Sequence, residues 1–563
     1  MSSSGSRSAW QDEFVADLEA VARAKSELVV IRERRKVTER GEVPIQLAIR
    51  TAGIPHAEGG LALDDTEIVE VTIPPSQYRP PSVHVTHPRF VGYPHVLQGV
   101  VLCIYLDASR EWNPSEGATG FLNRLWGWFE SAAGAKFNPH TALFHAVGGT
   151  DHTSDSTPTA VIRDELDERT HRVTLMLRTD RRFDVSLVDT VEGLRAPIFS
   201  APGPLPLGTG TTVVDLATLL DDPTMKRGGQ PVPGMPPKRE SLWAMLAAAA
   251  KRNSSGSLQP FILRVPHPAG GSPHLLVGSV PVAAADALRS GSTPHNPEIE
   301  WWRVSDERAS VTTRRDSTRP TAAFVGRSIL LFGCGGLGSW IAEFIARAGA
   351  KRIVISDSAV VSGGLLVRQN YSEADVGSSK EAALVARISA IQDEVEVSVL
   401  DDFGTLDLQD FDLVVDATVN LALSQVLSAV SQGALVAQVA VDPRSAAMGM
   451  VLIKPAGSES RMSELDVQAG ILVRGDHSLE DYHSMWSSNT HAMLIPTRGC
   501  SVPTFHGSAA DMAASAGVMT SMLGSQIREP AAGVHLFQLP HVAAHGSRTT
   551  AFISLAPACE WDR

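Results

Sequence analysis

A glycine-rich run and isolated cysteines carry most of the chemistry legible in this sequence. Gly333-Cys334-Gly335-Gly336-Leu337-Gly338 fits G-x-G-x-x-G, set between the apolar run SILLF and a helical pattern. Glycines at that spacing let a backbone turn tightly and approach phosphates, while the helix N-terminus that follows favours anions. Asp357 closes the next strand-like run, 19 residues after Gly338, where a carboxylate accepts ribose hydroxyls. These residues predict a nucleotide site; the alternatives are a structural turn in an α/β sheet and the NAD site of an oxidoreductase. Cysteines stand far apart at 103, 334, 500 and 559. Cys500 lies in a Gly/Ser/Pro loop that leads to a helix expected near Ser508, and a helix N-terminus lowers a thiol's pKa. Cys334, inside the glycine run, reads as structural.

Three blocks must position these residues. Residues 1–166 read as an α+β domain: an amphipathic helix over 10–26, strand-like LVVIRER, VPIQLAIRT and EIVEVTIP, a Pro-rich segment, the run VVLCIYL, then a helix over 117–133. That helix carries Phe121, Leu122, Leu125, Trp128 and Phe129 on one side. Residues 167–320 alternate strand-like runs with Pro/Gly-rich pieces and read as a small mixed domain without a motif. From 321 to 563, short apolar runs alternate with helical patterns such as KEAALVARISAI, as in a doubly wound, parallel α/β sheet. The apolar runs GALVAQVAV and MGMVLIK serve either the core or a dimer surface.

The segment after Asp357 speaks against the oxidoreductase. DSAVVSGGLLVRQNYSEADVGSSK resembles the activating-enzyme superfamily that includes the ThiF and MoeB adenylyltransferases, with Asp357, Val361, Leu366, Arg368, Gln369, Asp375, Gly377 and Lys380 at the family's spacing. The resemblance spans roughly 310–550. It implies binding of ATP with Mg, contacts from Arg368, Gln369 and Lys380 to the nucleotide, and a homodimer. Two cations held at the triphosphate offset charge developing at the α-phosphate. The family pattern is broken at Ala359, Leu365 and Val419. Val419 replaces the acidic residue associated with magnesium, and Asp416, at the end of the same strand, is expected to take that role.

The N-terminal block gives the second resemblance. EVTIPPSQYRPPSVHV is similar to the strand and Pro-rich turn of ubiquitin-conjugating enzymes. Tyr93-Pro94-His95 stands where that family has His-Pro-Asn, Cys103 follows His95 at the family spacing, and Trp112-Asn113-Pro114 matches its Trp-x-Pro to within a residue. The resemblance implies a thioester on Cys103, with an imidazole N–H of His95 replacing the oxyanion-stabilising amide. Gly499-Cys500-Ser501-Val502-Pro503 looks like the cysteine loop of bacterial activating-enzyme fusions. Conjugating block first and activating block last, the chain resembles the fusion proteins of CBASS anti-phage systems. That implies adenylation of a protein's C-terminal carboxylate, transfer to Cys500, then to Cys103, then to a target amine. The activated tail would belong to a ubiquitin-like protein or to a nucleotidyltransferase. A sulfur-carrier adenylyltransferase and a degenerate scaffold are the competing readings.

Bulk properties narrow the classes. The net charge of −13 provides no general basic footprint for nucleic acid. No run approaches ~20 apolar residues, so no membrane span is expected. The start MSSSGSRSAWQDEF lacks an apolar signal region, and no CxxC pair exists, so a reduced, cytoplasmic protein is expected.

Overall fold

A computed structural model describes residues 7–85, 87–90, 93–97, 100–137, 157–201, 203, 210–221, 241–266, 272–292, 294–312, 315–400, 404, 406–418, 420–430, 433–442, 445–486, 507–541 and 549–555. The chain forms two compact units, Met1–Thr313 and Arg314–Arg563.

The first unit opens with α1 (Ala9–Ala24), capped by Ser8 in a reciprocal box with Gln11. Its buried stripe of Phe14, Val15 and Leu18 faces α3 (Gly117–Ala133), where Phe14 meets Phe121 edge-on at 5.8 Å. The expected apolar stripe of α3 is buried throughout. Between the two helices in sequence comes an antiparallel sheet of β1 (Val29–Arg34), β2 (Val43–Arg50), β3 (Thr66–Ile73), β4 (Ser82–Val85), β5 (Val96–Leu97) and β6 (Val101–Leu102), ordered β1-β2-β3-β4-β6-β5. β3 alternates buried and half-buried residues, one face on the core and one toward water. The run VVLCIYL is a strand only at Val101–Leu102. The amide of Ile104 bonds back to the carbonyl of Leu102, which turns the chain at Cys103. The one-turn helix α2 (Ala108–Glu111) follows.

The same unit continues into a mixed sheet: β7 (Thr159–Ile162), β8 (Arg172–Thr179), β9 (Arg182–Ser186), β10 (Leu194–Ser200), β11 (Gln259–Val265), β12 (His274–Val280), β13 (Glu300–Trp301) and β14 (Arg303–Asp306). β11 is buried along its whole length. Ile262 joins one apolar cluster and Phe261 and Leu263 the other, which α4 (Val213–Asp221), α5 (Leu242–Ala250) and α6 (Val282–Arg289) complete.

The second unit is built on β15 (Ser328–Phe332), β16 (Arg352–Ser356), β17 (Glu396–Val399), β18 (Leu413–Asp416), β19 (Val436–Val441), β20 (Met448–Lys454), β21 (Gly533–Gln538) and β22 (Thr550–Ser554), ordered β17-β16-β15-β18-β19-β20-β21-β22. β15 to β19 are mutually parallel, as expected. From β19 to β22 the pairings are antiparallel, an extension that the sequence reading lacked. Ile329 and Leu331 of β15 face one core with α7 (Gly338–Arg347), α8 (Lys380–Ile391) and α11 (Ala509–Arg528). Leu330 and Phe332 face the other, with α9 (Leu421–Val430) and α10 (Met462–Gly475). Helices thus cover both faces, and that is why β15 and β18 read as continuous apolar runs. α11 begins one residue past Ser508, which caps it. β19 and β20 are interior strands with Val439, Val451 and Ile453 in the core. They are core within one chain and are not available as the dimer surface considered above.

Candidate functional sites in the two units

In the parallel part of the second sheet, β15 has β16 on one side and β18 on the other, so strand order reverses there. The C-terminal ends at such a switch point are where open α/β sheets bind ligands. The glycine run fills that position. Gly333 has φ +88°, and a Cβ on it would lie 3.0 to 3.1 Å from Thr418 and Ala417. A Cβ on Gly338 would lie 1.8 Å from the Gly333 carbonyl. Packing therefore demands both. Gly335 differs: a Cβ there would meet nothing within 4 Å, so packing does not require its bareness. Gly336 sits beside it, ahead of α7.

Asp357 follows β16 directly. One carboxylate oxygen accepts the Cys334 amide at 2.7 Å and the other the Ala359 amide at 2.8 Å. Each oxygen keeps a lone pair for a hydroxyl donor. The segments on either side of the crossover are stitched together: Val361 donates to Ser378, Gly377 to Val361 and Lys380 to Ala359, each at 2.9 Å. Lys380 thereby opens α8 beside the start of the Asp357 loop, with Ser379 as its cap. Arg368 and Gln369 follow the 3-10 turn Gly363–Leu365, their amides donating to the Leu365 carbonyl. All three side chains are buried. Burial holds the Arg368 guanidinium below its ordinary pKa, and Gln369 Oε1 is buried without a partner among the described residues.

Asp416 ends β18 in register with Phe332 of β15, beside the glycine turn. Its carboxylate accepts the Thr418 amide at 2.9 Å, the Thr418 hydroxyl at 2.6 Å and Gln438 Nε2 at 3.4 Å. Burial pushes its pKa up. Among the described residues no three His, Cys, Asp or Glu side chains are grouped to hold a metal. One carboxylate with substrate phosphates and water suits magnesium, which rarely takes an all-protein cage. The residues present fit a nucleotide, and Asp416 is the carboxylate that ends β18 beside the glycine turn. Cys334, within the loop, is fully buried and its thiol pKa is driven far up by burial, as a structural residue should be. Sequence reasoning missed Trp340 and Tyr371, which hydrogen-bond to this site's backbone; nothing in their spacing distinguishes them from core aromatics.

In the first unit, β5 and β6 pair Val96 with Leu102, and the pairing extends one step further: the Cys103 amide donates to the His95 carbonyl at 2.8 Å. His95 has φ +61°, a left-handed backbone in which, glycine aside, asparagine, aspartate and histidine are enriched. Its ring packs on Phe137 with centroids 4.5 Å apart, and burial lowers its pKa, so at neutral pH the imidazole is uncharged with one N–H donor. Cys103 is half-buried and its thiol donates to the Tyr105 carbonyl at 3.3 Å. Burial, then the charge of Glu111, raise the thiol's pKa. Tyr105 meets Trp112 edge-on at 5.8 Å, Trp112 Nε1 donates to the Gln77 carbonyl at 2.7 Å, and Arg124 lies over the Tyr105 ring while pairing with Glu111. The two residues singled out in this block are thus brought side by side. Cys500, Cys559 and Val419 lie outside the described residues.

The comparisons agree with this division. Prokaryotic E2 family A matches residues 11–157, and the ThiF family matches residues 323–462. The chain is a bacterial-type fusion of an E2-like region and a ThiF/MoeB-like region. It is 36% identical over 107 residues to the tRNA threonylcarbamoyladenosine dehydratase of Escherichia coli (strain K12), a match of 19% of this chain and 39% of that protein. It is 31% identical over 100 residues to the adenylyltransferase and sulfurtransferase MOCS3 of Mus musculus, covering 17% and 22%. The chain therefore spans well under half the length of either relative. Among solved structures it is similar to PaaA (18% identical, 42% of this chain and 75% of that one, TM-score 0.31) and to E. coli MccB with ATP (12%, 42% and 67%, TM-score 0.29).

Proposed function

We propose that this protein activates the C-terminal carboxylate of another protein with ATP and passes the acyl group through cysteines to an amine. The observation that carries the reading is the pairing, on one chain, of a phosphate-compatible glycine cradle with a cysteine whose amide is bonded to the His95 carbonyl in an E2-like region. ATP would supply the activated phosphorus, and Asp416 would hold Mg, which would offset charge on the phosphates. Gly335 admits the phosphates, Asp357 takes the ribose hydroxyls, and Arg368, Gln369 and Lys380 hold the triphosphate. The carboxylate oxygen bonds to the α-phosphorus and pyrophosphate leaves. The Cys500 thiolate then takes the acyl carbon and AMP leaves. Exchange onto Cys103 frees the Cys500 thiol, and attack by an amine forms the amide and frees the Cys103 thiol. His95 donates to the oxyanion in the last two steps.

The resemblance to the CBASS fusions supports a ubiquitin-like protein or nucleotidyltransferase tail as the substrate, a homodimer through the second unit and a cytoplasmic setting that keeps the thiols reduced. No helix among the described residues is long and apolar enough to cross a membrane. The sulfur-carrier reading draws on the match to MOCS3, but it assigns no task to the E2-like region or to Cys103.

Lys380→Ala tests the nucleotide half. The expected result is at least about a tenfold loss of magnesium-dependent ATP binding, equivalent to ~1.4 kcal/mol. Unchanged binding removes Lys380 from the site, and binding of NADH without ATP restores the oxidoreductase.

A further inference from the structure

Two aromatic side chains, the buried Tyr371 and the half-buried Trp340, donate to main-chain carbonyls at the nucleotide site. The Tyr371 hydroxyl lies 2.7 Å from the carbonyl of Cys334, inside the glycine run, and 3.3 Å from that of Lys380, the first residue of α8. Trp340 Nε1, on α7, lies 3.2 Å from the carbonyl of Arg368. Glycines leave a loop free to sample many conformations, and this loop's packing glycines permit its shape without enforcing it. Asp357 holds the loop from one side through the Cys334 amide. Tyr371 holds the same residue from the other side through its carbonyl.

We propose that Tyr371 and Trp340 are positioning residues that brace the nucleotide site, Tyr371 tying the glycine loop to the helix that starts at Lys380 and Trp340 tying α7 to Arg368. The inference rests on the nucleotide reading above. Neither side chain touches the nucleotide in this account. They hold the loop and the two cations in one arrangement before the ligand arrives, so binding need not order them. Burial drives the Tyr371 phenol far above its ordinary pKa, so it remains a donor at any working pH.

Tyr371→Phe keeps the ring and removes only the bridge; Trp340→Phe removes the second donor together with part of the indole ring. Hydrogen exchange of the amides in 333–338, measured on the full chain without nucleotide, reads the brace directly. Binding of ATP and of AMP reads its consequence. Tyr371→Phe should speed loop exchange and weaken ATP binding by about tenfold, while AMP, which lacks the phosphates that Lys380 is placed to meet, loses less than about threefold. Trp340→Phe should weaken ATP binding with loop exchange unchanged. Loop exchange in Tyr371→Phe equal to wild type overturns the brace whether or not ATP binds. Faster exchange with unchanged ATP affinity overturns the positioning role. Equal losses for ATP and AMP, with a lower melting temperature, reduce both residues to general stability. Wild-type protein that binds no ATP defeats the nucleotide reading instead, with the exchange comparison still deciding the brace.

Discussion

The amide of Cys103 donates to the carbonyl of His95 at 2.8 Å, and this bond makes one unit of two residues eight positions apart. It extends the β5–β6 pairing by a step at a residue whose backbone is left-handed. The contact is between main chains: the His95 imidazole packs on Phe137, while the Cys103 thiol donates to the Tyr105 carbonyl. His95 stands where ubiquitin-conjugating enzymes carry asparagine, and the backbone explains why either residue suits the position. Asparagine is among the few non-glycine residues at ease with positive φ, and both side chains offer an N–H.

His95→Asn should therefore keep acyl transfer from Cys103 within about threefold of wild type. His95→Ala, which keeps neither the donor nor the backbone preference, should lose about a hundredfold, the usual cost of one oxyanion donor. Single-turnover discharge of a Cys103 thioester to free lysine measures both. Equal rates for His95→Ala and wild type would remove the oxyanion role.

The thiol itself is predicted to be slow at rest. Burial, then Glu111, hold the Cys103 pKa above its ordinary value, so the thiolate fraction stays small at neutral pH and climbs as pH rises through that raised value. Alkylation of the Cys103 peptide by iodoacetamide, followed by mass spectrometry, should run below the rate of an unperturbed thiol (pKa ~8.5) at neutral pH and still be increasing at about pH 9. Glu111→Gln removes the repelling charge and should shift the curve to lower pH. A curve that levels off below neutrality would show a thiol activated by something this structure does not reveal.

Glycines in the nucleotide loop should separate by role. Gly338→Ala pushes a Cβ into the Gly333 carbonyl and should cost at least about 2 kcal/mol of stability. Gly335→Ala meets no atom and should change stability by less than about 0.5 kcal/mol, yet weaken ATP binding by at least about tenfold. Thermal unfolding alongside ATP titration makes the comparison. Gly335→Ala that binds ATP normally would move the phosphates away from this loop.

Much of this was legible in the sequence because periodicity and spacing are local. The helices 117–133 and 380–391 stand where their apolar patterns put them, and Asp357 directly follows β16. What was not legible depends on contacts between distant segments. The strand through Cys103 is cut short by the bond from Ile104 to Leu102. GALVAQVAV and MGMVLIK are apolar whether they line a core or a dimer surface, and only their antiparallel pairing inside the sheet decides. Tyr371 reads as an ordinary aromatic until its hydroxyl is found between two carbonyls.

The central claim is the passage of an acyl group over two cysteines, and intact-mass spectrometry tests it most directly. The full chain is incubated with Mg-ATP and an extract of its native cells, then split into samples with and without thiol. Wild type should gain a protein-sized adduct that thiol removes. Cys103→Ala should keep a thiol-sensitive adduct, now on Cys500, without passing it to an amine. Cys500→Ala should gain none while still releasing pyrophosphate. If the double variant Cys103→Ala/Cys500→Ala joins its target as wild type does, neither cysteine carries the acyl group and the account is contradicted.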